Sequence, residues 1–284
     1  GQVVNPPKWQ ADLDSHGKRI VVIGSGATAM TLVPALAKDA EHVAMLQRSP
    51  TYVVSRPSID AVANGLRKVL PDRVAYNITR WKNSTMGEFF YKQTRSKPEK
   101  VKGQLPGPIR KELPDEMVDG HLTPDYNPWD QRLCLIPDSD LFNALNSDAA
   151  SVVTAEIETF TETGIKLTNG EHLDADIIVT ATGLQLVTIG DMDFSVDGEP
   201  VDFSKTWTYK GIAYSDVPNL ASSFGYINAS WTLRADITCE WVCRLINHMT
   251  ESGTTQATPR MRPEDSNMTE HPFIQDFSSG YMQR

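Results

Sequence analysis

The run from Lys18 to Gly26 constrains the fold more than any other part of this sequence. Ile20-Val21-Val22-Ile23 is continuously apolar and closes on Gly24-Ser25-Gly26. Uninterrupted β-branched residues, without polar alternation, describe a strand buried on both faces, the usual condition in a parallel sheet. Ala27 to Lys38 then takes helical spacing through Met30, Leu32, Val33 and Leu36, with Pro34 as an expected kink. His42 to Leu46 supplies a second short strand, so the three segments make one βαβ unit.

Gly24-Ser25-Gly26-Ala27-Thr28-Ala29 fits G-x-G-x-x-G/A within that unit. Gly24 permits the tight turn, and Gly26 lets backbone approach a pyrophosphate. Ala29 is small enough for helix to pack on strand, and the helix N-terminus offers free N–H groups and the positive end of its dipole. A dinucleotide site is expected over Gly24, Ser25, Gly26, Ala27, Thr28 and Ala29; the plainer alternative is a tight turn with no ligand. An NAD site carries Asp or Glu about 20 residues on, to bind the ribose 2′-hydroxyl. Here the second strand runs out as Met45-Leu46-Gln47-Arg48-Ser49-Pro50, without a carboxylate. A guanidinium at Arg48 can pair a 2′-phosphate bidentately and Ser49 can add a hydrogen bond, so NADP(H) is the expected cofactor.

The remaining chain has less regular punctuation. Tyr52 to about Asp125 reads as helical, broken by Pro71, Pro98, Pro106, Pro108 and Pro114. Arg56 to Lys111 holds thirteen basic and four acidic residues in a chain whose net charge is −9. Without aromatic residues interleaved as stacking platforms, that basic block reads as a solvated helical face rather than a nucleic-acid surface. Ser139 to Asn146 reads as a short helix. Asn169-Gly170 is a type I′ hairpin signal. Asp176 to Thr180 is a second buried strand, and it ends in Ala181-Thr182-Gly183. Thr182 and Gly183 therefore stand at a strand's carboxyl end, where doubly wound sheets bind their ligands. Thr232 to Met249 reads as an amphipathic helix.

Several classes are excluded. A hydrophobic share of 40 % with 22 % charged residues is incompatible with wholesale disorder. No window approaches the roughly 18 apolar residues of a membrane span. Three cysteines, Cys134, Cys239 and Cys243, make no disulfide framework. The six histidines have no ligand spacing, so no metal site is expected, and there is no P-loop, H-E-x-x-H or G-x-S-x-G motif. The chain starts at Gly1 without a leader and stops abruptly at Arg284, so both ends read as cut, and the cytoplasm is the default compartment.

Taken as a set, Gly24–Ala29, Gln47-Arg48-Ser49-Pro50, Asn127-Pro128-Trp129-Asp130-Gln131-Arg132-Leu133, Ala181-Thr182-Gly183 and Phe224-Gly225-Tyr226-Ile227-Asn228-Ala229-Ser230-Trp231-Thr232 resemble flavin-dependent class B monooxygenases. The likeness is closest to Baeyer–Villiger monooxygenases of the ethionamide-activating group. It implies an α/β fold: a doubly wound, Rossmann-like NADP domain with a helical insertion, joined to the C-terminal half of an FAD domain. On that template residues 1–14 are a linker and 15–180 the NADP domain, with the insertion at about 51–126. Residues 181–284 are the FAD part, and the first half of the FAD domain is not in the sequence.

The same resemblance implies cofactors NADP(H) and FAD, with O₂ and a small ketone or sulfur compound as substrates. The implied reaction inserts one oxygen atom through a C4a-peroxyflavin, giving esters or lactones from ketones. It assigns Arg132 the role of fixed catalytic cation and sets Gln131 beside substrate and NADP ribose. The family fingerprint F-x-G-x-x-x-H-x-x-x-W-P/D matches here at Gly1 and Trp9 but has Asn5 for His and Gln10 for Pro/Asp. Asn5 cannot carry a proton charge. The alternative expectation is an isolated NADP(H)-binding module, inactive without the other half of the FAD site.

Overall fold

The computed structural model describes residues 1–131, 133–227, 229–271, 278 and 280. They form two compact units, one of residues 1–185 with 278 and 280, the other of the described residues from 186 to 271.

The first unit is built on a five-stranded, wholly parallel sheet. Its strands are β1 (Gln2–Val4), β2 (Arg19–Ile23), β3 (His42–Gln47), β6 (Ala150–Thr154) and β10 (Ile177–Thr180), in the spatial order β1-β10-β2-β3-β6. The register sets Ile20 beside Ile177 and Val43, and Ile23 beside Thr180 and Leu46. All carboxyl ends therefore finish on one edge.

Alternation on β2 divides the core in two. Ile20, Val22, Val43, Met45, Ile177 and Val179 pack with Met30 and Val33 of helix α1 (Ala27–Leu36) and with Leu141, Phe142 and Leu145 of α7 (Asp140–Asn146). Val21, Ala44, Leu46 and Ile178 pack on the other face with Ile165 and Leu167. Those two belong to an antiparallel meander of β7 (Ile157–Phe160), β8 (Gly164–Leu167) and β9 (His172–Asp174). Burial of both faces is why β2 has no polar alternation.

Between β3 and β6 lies a second parallel pair, β4 (Val53–Arg56) with β5 (Cys134–Pro137). The segment joining them is helical: α2 (Ala61–Val69), α3 (Asp72–Ser96), α4 (Pro98–Gln104), α5 (Pro106–Ile109) and α6 (Asp115–His121). Each proline anticipated as a break sits at or near a helix start, where its missing N–H has no consequence. Pro34 is the exception. It lies inside α1, which runs through it and stops two residues later.

Two expectations need correction. The 1–14 segment is not wholly a linker, because Gln2–Val4 joins the sheet edge as a parallel partner of β10 and buries Val4. A strand of three residues is too short to display a period, so only its long-range partner reveals it. The Asn169-Gly170 turn is a hairpin but not type I′, which needs positive φ at both residues. Only Gly170 has positive φ, at +91°, and the Asn169 side chain accepts from the Glu171 N–H instead.

The second unit carries two short antiparallel pairs, β11 (Ser195–Val196) with β12 (Glu199–Pro200), and β13 (Thr208–Tyr209) with β14 (Ala213–Tyr214). It also carries the long helix α8 (Trp231–Ser252), capped by Gly253 at φ +66°. Phe224 packs against Trp231 with the rings tilted and their centroids 4.9 Å apart, and Gly225 lies so close to that indole that no Cβ would fit. No helix among the described residues is long and apolar enough to cross a membrane.

Phe142 is 1 % exposed and joins α7 to the sheet. Phe142→Ala is expected to cost about 3–5 kcal/mol, read from urea unfolding of the two proteins under identical conditions.

Candidate functional site

The carboxyl edge of the parallel sheet gathers most of the residues singled out from the sequence. Gly24 follows β2 directly. Its N–H donates to the Leu46 carbonyl at the end of β3, at 2.7 Å. Its φ of +120° lies where a side chain is strained, and an added Cβ would run into the Ala181 carbonyl oxygen. Ala181 follows β10 and precedes Thr182 and Gly183, both exposed, with Gly183 at φ +103°. Gly24 and the Ala181-Thr182-Gly183 segment thus meet because β2 and β10 are hydrogen-bonded neighbours.

Gly26 is the N-cap of α1 in extended conformation, without a side-chain cap and without an acidic residue in the first turn. Nothing lies within 4 Å of the position its Cβ would take. Ala27 and Thr28 are exposed, while Ala29 is fully buried against the sheet. The helix start is therefore open above and tightly packed below. An end of this kind presents N–H donors and a partial positive charge to an anion.

Ser25 links this turn to the next strand. Its Oγ shares a 2.8 Å hydrogen bond with Thr51 Oγ1 and lies 3.4 Å from the Ser49 carbonyl. The Ser25 carbonyl also faces the Cys134 thiol at 3.9 Å, at the start of β5. Arg48 and Ser49 are exposed just beyond β3, and Arg48 has no ion pair or hydrogen bond among the described residues. Gln131 is half-buried and bridges to Pro128. Arg132, the expected catalytic cation, lies outside the described residues.

Close to Arg48 and Gln131 along the chain stand polar and aromatic groups that no motif signals. Gln47, 2 % exposed, donates from Nε2 to the His121 carbonyl at 2.7 Å and to Thr154 Oγ1 at 2.9 Å. The Thr154 hydroxyl is then 2.7 Å from His121 Nδ1. Having accepted from Gln47, it can donate to a neutral imidazole, in keeping with burial that pushes the His121 pKa down. This triad pins the end of β3 from which Arg48 projects. Tyr52 donates to the Tyr126 carbonyl at 2.7 Å, and the two rings meet edge to face at 5.3 Å. Burial pushes the Tyr52 phenol up to about 12, so it stays protonated at neutral pH. Trp129 takes φ +72°, its ring lies 6.3 Å from Tyr91, and Asp130 pairs with Arg95 at 2.7 Å. The segment leading to Arg132 is thereby held against α3.

The fold and this carboxyl edge define a Rossmann-like α/β protein with an open, glycine-lined helix N-terminus. No protein-family model matches the chain. Among solved structures, oxidized steroid monooxygenase bound to NADP superposes with a TM-score of 0.71 at 22 % identity, over 93 % of this chain and 58 % of that one. Sequence kinship is much stronger. FAD-containing monooxygenase EthA of Mycobacterium tuberculosis is 48 % identical over 286 residues, which is all of this chain and 58 % of the relative. The protein named "Probable FAD-binding monooxygenase AlmA" of Acinetobacter baylyi is 48 % identical over 285 residues, again all of this chain and 57 % of the relative. The chain is a homologue of these FAD monooxygenases, as its motifs implied, and spans 57 to 58 % of the length of these curated relatives.

The Gly24 geometry has a direct consequence. Gly24→Ala combines a strained φ with a clash against backbone that belongs to another strand, so the collision cannot be relieved by turning a side chain. The expected loss is about 2 kcal/mol or more, measured by urea unfolding. Gly26→Ala, where the space is open, serves as the control and stays within about 1 kcal/mol.

Proposed function

We propose that this chain is the NADP(H)-binding part, together with the second half of the FAD-binding part, of an NADPH- and FAD-dependent monooxygenase. In this reading residues 15–180 are the NADP domain and residues 181–284 belong to the FAD domain. The observation that carries it is the approach of Gly24 to Ala181 beside the open N-terminus of α1. A Cβ there would fill the space at the turn, and the next strand ends in exposed Arg48 and Ser49. The donor set fits an NADP pyrophosphate and 2′-phosphate. The first-turn N–H groups of α1, from Ala27 onward, would hold the pyrophosphate. Arg48 would pair the 2′-phosphate and Ser49 would donate to it, while Ser25, fixed by Thr51, keeps the turn in shape.

Bound flavin, reduced by NADPH, supplies the activation of O₂ and the transfer of one oxygen atom. The substrate class proposed is a ketone, giving an ester or lactone, or a sulfur compound. Arg132 would contribute a permanent positive charge toward oxygen that becomes anionic during the reaction. Gln131 would hydrogen-bond on the same side, and Thr182 and Gly183 would offer backbone groups at the sheet's carboxyl edge. A second reading is supported by the presence of a single glycine fingerprint in the sequence: the chain by itself holds NADP(H) and does not turn over.

Arg48→Ala is expected to weaken NADPH binding about tenfold or more while leaving NADH nearly unchanged, by fluorescence titration of each cofactor. Equal loss for both refutes the 2′-phosphate role. The two readings separate on the visible absorbance of the purified chain reconstituted with FAD. Stoichiometric flavin removes the module reading. In a polypeptide of the relatives' full length, Arg132→Ala is expected to abolish oxygenated product, measured by chromatography, and undiminished product formation rules out its catalytic role.

A further inference from the structure

The helical segment between β4 and β5 displays exposed apolar side chains. α2 and α3 form an antiparallel hairpin joined by Leu70 and Pro71. Asp60, the N-cap of α2, accepts from the Ala63 N–H and pairs with Lys82 of α3 at 2.7 Å. Asp60 and Lys82 are equally far from Pro71 along the chain, so the two helices run side by side.

Each helix carries an apolar stripe at helical spacing that is not buried. On α2 it includes Val62 and Val69, and on α3 it includes Val74, Ile78, Trp81 and Phe89. Val69 is 77 % exposed and Trp81 70 %. Ala63 and Ala75, one position after the leading valine of each stripe, are buried and mark the sides the helices turn inward. Val69 near the end of α2 and Val74 near the start of α3 stand on either side of Leu70 and Pro71, so both stripes reach the hairpin's tip. At the hairpin's tip, Arg67, Lys68 and Arg73 are exposed and have no carboxylate partner among the described residues. They belong to the block of thirteen basic and four acidic residues in a chain of net charge −9.

We propose that the α2–α3 hairpin docks the protein onto an anionic lipid surface. The apolar stripe enters the headgroup boundary while Arg67, Lys68 and Arg73 meet the lipid phosphates. Charge selects this occupant. An apolar helix face flanked by Lys and Arg suits an interface of negative charge, with an indole at headgroup depth. A second copy meeting the same face across a two-fold axis would oppose basic groups with basic groups.

The test is co-sedimentation of the chain with vesicles of phosphatidylcholine alone or mixed with phosphatidylglycerol. The expected result is binding to the mixed vesicles that falls with added salt, with little binding to phosphatidylcholine alone. Val69→Asp with Trp81→Asp, and separately Lys68→Glu with Arg73→Glu, are each expected to weaken it about tenfold or more. All four positions are exposed, and circular dichroism with NADPH titration checks that the fold is kept. Equal binding to both vesicle types, unaltered binding by either double variant, or no binding overturns the proposal. So does self-association of the parent that Val69→Asp with Trp81→Asp abolishes, which assigns the face to a second copy.

Discussion

The contact between Gly24 and Ala181 is the constraint on which the rest of the first unit depends. β2 lies between β10 and β3, and all three run the same way. Their ends therefore crowd one edge, and the chain leaving β2 has to turn sharply beneath the chain leaving β10. A residue with a Cβ has neither the φ nor the space for that turn. The turn in turn aims α1, whose buried Ala29, Met30 and Val33 press onto the sheet and leave its N-terminus open. Packing and site are consequences of one backbone crossing.

Around that crossing several polar side chains are tied to one another, although Gln47 Oε1 is buried without a partner among the described residues. Ser25 and Thr51 satisfy each other, and Gln47, Thr154 and His121 form a connected set just below Arg48. Buried polar groups that are hydrogen-bonded rigidify their surroundings. Their effect here is to hold the last residue of β3 while the next two side chains reach solvent. Rigid strand ends with free side chains beyond them are what recognition of a charged cofactor needs.

The strand, glycine turn and helix of the fingerprint, and the strand end before Arg48, were legible because they are local. Gly24–Ala29 carries its strand, turn and helix within one short stretch, and Arg48 follows at a spacing fixed by the helix between. The partners of those residues were not legible. Nothing in the sequence joins Ser25 to Thr51, Tyr52 to Tyr126 or Cys134 to the fingerprint, since each contact arises only after β4 pairs with β5. The edge strand Gln2–Val4 was missed for the same reason. The hairpin at Asn169-Gly170 was found while its turn type was misread, because the Asn169 side chain stabilises a loop in which only Gly170 leaves the usual φ range.

By itself the sequence determined the βαβ unit, its glycine turn, the absence of a carboxylate after the second strand, and kinship with FAD monooxygenases. Each depends on residues that are neighbours along the chain, where periodicity and backbone stereochemistry act directly. Only the tertiary structure decided that Ala181 closes over Gly24, that the β7–β9 meander covers the second face, and that Val69 and Trp81 stay in solvent. Those outcomes turn on which strands pair and which faces find partners. Burial and register settle that over the whole unit, and no local pattern encodes it.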